Sequence, residues 1–347
     1  MIKVLIVDDS AVVRKILTAE LGHDPDIEVI GTASDAYVAR DKIVTLKPDV
    51  VTLDIELPGM DGITFLKKIM HYHPMPVIVV SSLTEKAGSL AMEALQAGAI
   101  DVLCKPGPSY TVGDMAVDLI SKIKAAAKVR IREKNREAQE IKPATLAMNK
   151  TTEKIVVMGA STGGTEAIRD ILIQYTEDIP AILITQHMPE KFTTSFAEHL
   201  NNECRPEIKE AQNGDKASPG KVFIAPGNRH MLLKRMGRDY YIEIKDGPRV
   251  NRHRPSVDVL FSSAALYAGA NAVGVLLTGM GKDGAEGLLN MKKAGALTVA
   301  QDEKSSVVFG MPKAAIDLGA ADYVAPPSDI AGIILELCRK NGKQEEI

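Results

Sequence analysis

The stretch Ile155-Val156-Val157-Met158-Gly159-Ala160-Ser161-Thr162-Gly163-Gly164 decides how the second half of the chain is read. An apolar, β-branched run stops at a glycine, and a lone hydroxyl follows among small residues. Glu166-Ala167-Ile168-Arg169-Asp170-Ile171-Leu172 then continues with helical spacing. The pattern predicts strand, tight turn and helix, with Ser161 at the turn and its Oγ exposed beyond the strand end. The amides of Thr162, Gly163 and Gly164 would open a helix N-terminus, which suits an anion or an oxyanion. Gly159-x-Ser161-x-Gly163 also fits a nucleophile elbow, but phosphate-binding turns share such glycines. A nucleophile here requires a base and an orienting acid from elsewhere in the chain.

Outward from this turn, short apolar runs alternate with amphipathic stretches over residues 153–347. Strands are predicted at 181–185, 222–225, 240–244, 272–277 and 297–300, and helices at 165–175, 192–201, 257–268, 285–294 and 312–318. That is a doubly wound, mostly parallel α/β domain, with 221–244 as a short antiparallel excursion. Gln186-His187-Met188-Pro189 follows one strand at once. Leu277-Thr278-Gly279-Met280-Gly281-Lys282-Asp283-Gly284 follows another and delivers Asp283 from a glycine-rich loop. A serine hydroxyl is a poor nucleophile until a base takes its proton, and the imidazole needs an acid to fix its tautomer. Ser161, His187 and Asp283 meet that requirement, although Asp283 could instead cap the helix beginning at Ala285. Their order differs from the Ser, Asp, His order of α/β-hydrolases, which excludes that fold analogy. His230 and His253 sit in Gly/Pro/Arg-rich loops that could line a cleft, and no His/Cys/Asp spacing suggests zinc.

Residues 1–128 alternate in the same way, with strands at 2–7, 27–31, 49–53, 77–80 and 100–104. Helices are predicted at 11–21, 36–46, 63–71, 89–97 and from about 113. Five βα units predict a parallel sheet covered on both faces, with ligands at the carboxyl ends of its strands. Asp8 and Asp9 end the first strand, Asp54 the third, Ser81 and Ser82 the fourth, and Lys105 the fifth. Carboxylates crowded on one edge repel unless a divalent cation lies among them, and oxygen ligands suit Mg²⁺. One carboxylate can then attack a phosphoryl group, with Lys105 and the Ser81 hydroxyl on its oxygens. Between the halves, residues 129–152 are charged over Val129–Glu137, carry Pro143 and end in a polar run. They read as a linker, either a solvated extension or a spacer whose length sets how the halves sit.

Bulk properties narrow the classes further. A chain of 347 residues with 45% hydrophobic side chains is long enough for two cores. Its net charge of -3, with no Trp and 4% aromatics, offers neither the basic surface nor the stacking platform of a nucleic-acid binder. Three scattered cysteines suggest a reducing compartment. The first apolar run is interrupted at Asp8, and no run approaches the roughly 18 residues of a membrane span. A cytoplasmic protein with no membrane insertion is expected.

The front half resembles the receiver domain of two-component response regulators, through Asp8-Asp9-Ser10, Asp54, Leu57-Pro58-Gly59-Met60-Asp61-Gly62, Ser81 and Lys105-Pro106. The resemblance implies Asp54 as phospho-acceptor, and Asp8, Asp9, Asp54 and the Glu56 backbone carbonyl as Mg²⁺ ligands. It also implies Ser81 as switch hydroxyl and Lys105 as phosphate contact. Val102 stands where many receivers carry a switch aromatic, which puts an aromatic-flip output in doubt. The back half resembles the catalytic domain of the chemotaxis protein-glutamate methylesterases. The matching stretches are Gly159–Gly164, Gln186–Pro189, Ala225-Pro226-Gly227, Arg254–Asp258, Leu277–Gly284 and Val308-Phe309-Gly310-Met311-Pro312. This resemblance implies hydrolysis of glutamate γ-methyl esters on chemoreceptor cytoplasmic domains, with release of methanol, and deamidation of receptor glutamines. It implies Ser161 as nucleophile, His187 as base then acid, Asp283 as orienting acid, and Thr162 and Met280 at the oxyanion. Hydrolysis would need no cofactor. A chemotaxis histidine kinase would phosphorylate the receiver and relieve its block of the active site.

Two rivals remain in view. The glycine-rich turn also suits a dinucleotide-binding oxidoreductase, but no acidic residue ends the strand at 181–185 to take a ribose hydroxyl. Tyr241 and Lys245 sit in an alternating strand pattern that would separate them by about 13 Å. A non-enzymatic regulator is the other rival, and no helix-turn-helix pattern supports a DNA-binding form of it.

Overall fold

The structure is a computed structural model that describes residues 1–82, 84–106, 111–129, 146 and 153–339. It divides into two compact units, Met1–Ala138 and Gln139–Ile347. Of the predicted linker, all but residues 129 and 146 lie outside the described residues.

In the first unit the elements follow the predicted alternation: β1 (Ile2–Val7), α1 (Ala11–Leu21), β2 (Ile27–Ala33), α2 (Ala36–Leu46), β3 (Val50–Asp54), α3 (Gly62–Tyr72), β4 (Val77–Ser81), α4 (Glu85–Gln96), β5 (Asp101–Cys104) and α5 (Val112–Ala126). Strands β3 and β4 are buried along their whole length, as apolar strands covered on both faces must be. Helix starts are set by short polar side chains. Ser10, Asp35, Asp61 and Thr111 each accept a hydrogen bond from an amide in the first turn of the helix that follows. The strands pair in parallel in the order β2-β1-β3-β4-β5. Neighbours β1 and β3 therefore send their connections in opposite directions, which opens a crevice at their carboxyl ends.

The second unit contains β6 (Ile155–Ala160), α6 (Gly164–Leu172), β7 (Ala181–Gln186), α7 (Phe192–Glu203), β8 (Glu207–Glu210), β9 (Lys221–Ile224), β10 (His230–Met236), β11 (Asp239–Lys245), α8 (Val257–Tyr267), β12 (Ala272–Leu276), α9 (Ala285–Lys293), β13 (Leu297–Gln301), α10 (Met311–Asp317), β14 (Tyr323–Ala325) and α11 (Pro327–Arg339). Seven strands form one parallel sheet in the order β14-β13-β12-β6-β7-β9-β8. The antiparallel excursion is narrower than the sequence suggests. Strand β9 runs parallel to β7, with Val222, Phe223 and Ile224 buried in the main sheet. Among the strands of the described residues only β10 and β11 are antiparallel, as a separate hairpin. Met231, Leu233, Tyr240 and Ile242 turn one face of that hairpin into the core, and Ser263 of α8 accepts the Leu233 amide at 2.9 Å. His230 begins β10 rather than lying in a loop.

The core of this sheet is largely apolar, and β6, β7 and β12 are wholly buried. Each Leu, Ile or Phe so covered contributes roughly 1.5–3 kcal/mol. The order reverses again between β6 and β12, so this unit too has its crevice at the carboxyl end of a central strand pair. No helix among the described residues is long and apolar enough to cross a membrane.

Candidate functional site

Each crevice holds a cluster of the side chains singled out from the sequence. In the first unit, Asp8 and Asp9 follow β1, and Asp54 closes β3. Ligand oxygens of the three carboxylates lie within 4.8 Å of one another. Lys105, following β5, places its Nζ 2.9 Å from Asp8 and 2.6 Å from Asp54. Burial pushes the Asp54 carboxyl up against the opposing pull of Lys105. Burial lowers Lys105, but its bonds to Asp54 and Asp8 outweigh that and raise it. Ser81 ends β4, buried, and its carbonyl accepts the Lys105 amide at 2.8 Å. The Glu56 amide donates to Asp54 at 3.2 Å. Three carboxylates converging with a single ammonium form an all-oxygen donor set, which fits a small hard cation such as Mg²⁺. Val102 is buried in β5.

In the second unit, Ser161, His187 and Asp283 come from three adjacent strands, β6, β7 and β12. Ala160 pairs with Gln186, and the His187 amide donates to the Ala160 carbonyl at 3.1 Å, so serine and histidine leave the sheet side by side. The turn carrying Ser161 is held from three directions. Its amide donates to Thr278 O at 3.0 Å, its carbonyl accepts Gln186 Nε2 at 2.9 Å, and Thr278 Oγ1 donates to Thr162 O at 3.0 Å. Gly163 takes a left-handed conformation at φ 78°, and a Cβ there would lie 2.4 Å from Val307. Ser161 is 7% exposed, more covered than a strand-end serine suggests, because the loop after β12 folds over it. A Cβ on Gly279 would come within 2.7 Å of the Ser161 Cβ. Thr162 is buried beside Ser161, and Met280 is half-buried on that loop.

His187 Nε2 meets Asp283 Oδ2 at 2.7 Å, whereas His187 Nδ1 is buried without a hydrogen-bond partner. The imidazole and the carboxylate are thus joined, while Ser161 and His187 are neighbours without a hydrogen bond at Nδ1. Asp283 does not cap α9, whose N-cap is Gly284. It sits instead at the N-terminus of α8. Its five donors are His187, the Asn251 side chain at 2.9 Å, Ser256 Oγ at 2.8 Å, and the amides of Val257 and Asp258 at 2.7 and 3.2 Å. Burial works against the charge of Asp283. The hydrogen bond and charge of His187, with the Asn251 and Val257 donors, outweigh burial and hold the carboxyl below the usual range.

Of the two loop histidines, His230 is structural. Its Nε2 donates to Pro248 O at 2.9 Å and its Nδ1 accepts the Ser256 amide at 3.2 Å, which holds the chain entering α8. His253 stacks on His187 with ring centroids 3.7 Å apart and planes at 12°. Sequence reasoning passed over Asn251, Thr278 and Ser256 as partners of the site. A serine just before an apolar helical run is a helix-start signal, and it marks Ser256 without revealing that Asp283 is its partner.

Comparison with known proteins shows the family of the chain. The model of the CheB methylesterase family matches residues 156–334, and that of the response regulator receiver domain matches residues 4–113. A protein-glutamate methylesterase/protein-glutamine glutaminase of Syntrophus aciditrophicus is 55% identical over 339 residues, covering 97% of this chain and 99% of its own length. Another from Anaeromyxobacter dehalogenans is 56% identical over 342 residues, 98% and 96% of the two chains. The crystal structure of the Thermotoga maritima CheB methylesterase catalytic domain superposes with a TM-score of 0.52 at 39% identity, over 53% of this chain and 98% of that one. The chain belongs to the CheB methylesterase family, and its methylesterase-like unit is preceded by a response regulator receiver domain.

Proposed function

We propose that the protein is a phosphorylation-regulated serine hydrolase. It cleaves glutamate γ-methyl esters on chemoreceptor cytoplasmic domains and converts receptor glutamines to glutamate. The observation that carries the reading is the His187–Asp283 bond at 2.7 Å beside a buried, unpartnered Nδ1. An ionised carboxylate only accepts, so Nε2 carries the proton and Nδ1 keeps a lone pair that can take a hydroxyl proton. The Ser161 Oγ attacks the ester carbonyl while Nδ1 takes its proton. Donors on the Thr162 turn and the Met280 loop stabilise the oxyanion, and the protonated Nδ1 then hands its proton to the departing methanol. Water attacks the serine ester by the same route and releases the glutamate side chain. A glutamine amide follows the same path with ammonia as the leaving group.

The boundaries we assign are a receiver over 1–128, a linker over 129–152 and a catalytic domain over 153–347. In the receiver, Asp8, Asp9, the Asp54 carboxylate and the Glu56 carbonyl would hold Mg²⁺, which neutralises carboxylate repulsion and a phosphoryl oxygen when bound. Asp54 accepts a phosphoryl group from a chemotaxis histidine kinase, Lys105 pairs with its oxygens, and the Ser81 hydroxyl contacts it. Phosphorylation raises esterase turnover. Methanol release from methylated receptor fragments tests the whole reading. The wild-type protein is expected to release methanol and folded Ser161→Ala is not, and equal release from both would overturn it.

A further inference from the structure

A two-residue turn next to the candidate site has no role in the reaction as described so far. Val250 and His253 exchange both backbone hydrogen bonds, N to O at 3.1 and 2.9 Å, and enclose Asn251 and Arg252. Both enclosed residues are left-handed, with φ of 50° and 70°. That is the geometry of a primed hairpin turn, in which asparagine suits the first position and glycine the second. Arginine at the second position is strained, and such strain persists only where surrounding structure holds it.

Two side chains of this turn reach the imidazole–carboxylate pair from separate sides. The Asn251 Nδ2 donates to Asp283 Oδ1 at 2.9 Å and to Asp258 Oδ2 at 2.6 Å, so one amide group spans two carboxylates. His253 lies flat against His187. Asp258 is half-buried in α8, and its other oxygen accepts the Gly287 amide at 2.7 Å. Burial raises its carboxyl, Asp283 and Glu286 raise it further, and the Gly287 and Asn251 donors oppose them. Without the amide between them, Asp258 and Asp283 would face each other with less to offset their repulsion.

We infer that the turn Val250–His253 is a positioning device for the proposed hydrolysis. The Asn251 amide holds Asp283 aimed at His187 beside Asp258, and His253 fixes the plane of the imidazole. The inference rests on the reading of His187 and Asp283 as base and orienting acid. The charged and titratable groups around the carboxylates are His187 after β7, Asp258 on α8, Glu286 on α9 and His253 in the turn itself. Loss of the amide hydrogens leaves both carboxylates with fewer donors and frees Asp283 to turn away from His187.

The test uses the full-length protein and a peptide carrying a glutamate γ-methyl ester. Asn251→Gly accepts the left-handed backbone and removes only the amide. It is expected to lower kcat at least tenfold with little change in KM. Asn251→Asp also tolerates that backbone and replaces the donor by a third carboxylate, and it is expected to lose kcat as well. Folding of each variant is checked by its thermal melt. Wild-type kcat in either folded variant would overturn the inference. Failure of the wild-type protein to hydrolyse the ester would instead sink the underlying reading.

Discussion

Ser256, the N-cap residue of α8, gives its hydroxyl to Asp283 at 2.8 Å rather than to its own helix. The carboxylate in turn caps the helix, accepting the Val257 amide and the Asp258 amide, the second of which an N-cap serine side chain ordinarily serves. One residue therefore anchors the α8 N-terminus and orients His187. The carboxylate is stabilised by the same helix dipole it satisfies.

Asp283 should consequently matter to stability as well as to catalysis. Its carboxyl is held below the ordinary value, so the folded state binds its proton less readily than the unfolded chain. That stabilisation is fully present above the unfolded value of about 4, and it is lost as pH falls through the lower folded value. Asp283→Asn is expected to cost on the order of 2–4 kcal/mol near neutral pH. Thermal melts of the two proteins should converge as pH drops below about 4. A constant gap from pH 7 to pH 3 would contradict this account.

The turn at Gly163 predicts a second effect. An added Cβ would meet Val307 at 2.4 Å and hold an L-residue at φ 78°. Gly163→Ala is expected to destabilise the second unit by about 2–3 kcal/mol and to lower kcat with it. Denaturant titration measures the first quantity and ester hydrolysis the second.

Much of this layout was legible because α/β folds display chemistry at strand ends. The apolar runs ending at Asp8, Asp54 and Ser161 mark their strands, and the fold follows from the alternation. Strand β8 escaped notice because it is a sheet-edge strand, with Ile208 buried among charged neighbours. Strand β14 has only three residues and leaves Tyr323 and Val324 exposed. Helix α11 is different, since Ile330, Ala331, Ile334, Leu335 and Cys338 repeat at helical spacing and mark the helix in the sequence itself. The partners of Asp283 were hidden for another reason. Asn251 and Ser256 lie 32 and 27 residues away, and only the folded sheet brings them together.

Stacking predicts that His253 serves His187 as a wall. His253→Ala is expected to lower kcat about three- to tenfold while the melting temperature moves little, since the ring lies at a half-buried loop position. Steady-state kinetics on the ester peptide checks this, and an unchanged kcat would remove His253 from the account.

Regulation follows from the first crevice. Lys105 bridges Asp8 and Asp54 at 2.9 and 2.6 Å, and a phosphoryl group on Asp54 would compete for the same ammonium. With a small phosphodonor and Mg²⁺, wild-type turnover is expected to rise at least tenfold. Asp54→Asn should stay at the unstimulated rate, and equal stimulation of both would contradict the assignment of Asp54.

The serine itself gives the most direct measurement. The full-length protein is treated with a fluorophosphonate, and the modified residue is located by mass spectrometry. The account predicts a single adduct on Ser161, formed at least a hundredfold more slowly in His187→Ala and accompanied by loss of ester hydrolysis. An adduct on another residue, or full hydrolysis by a protein fully modified at Ser161, would contradict it.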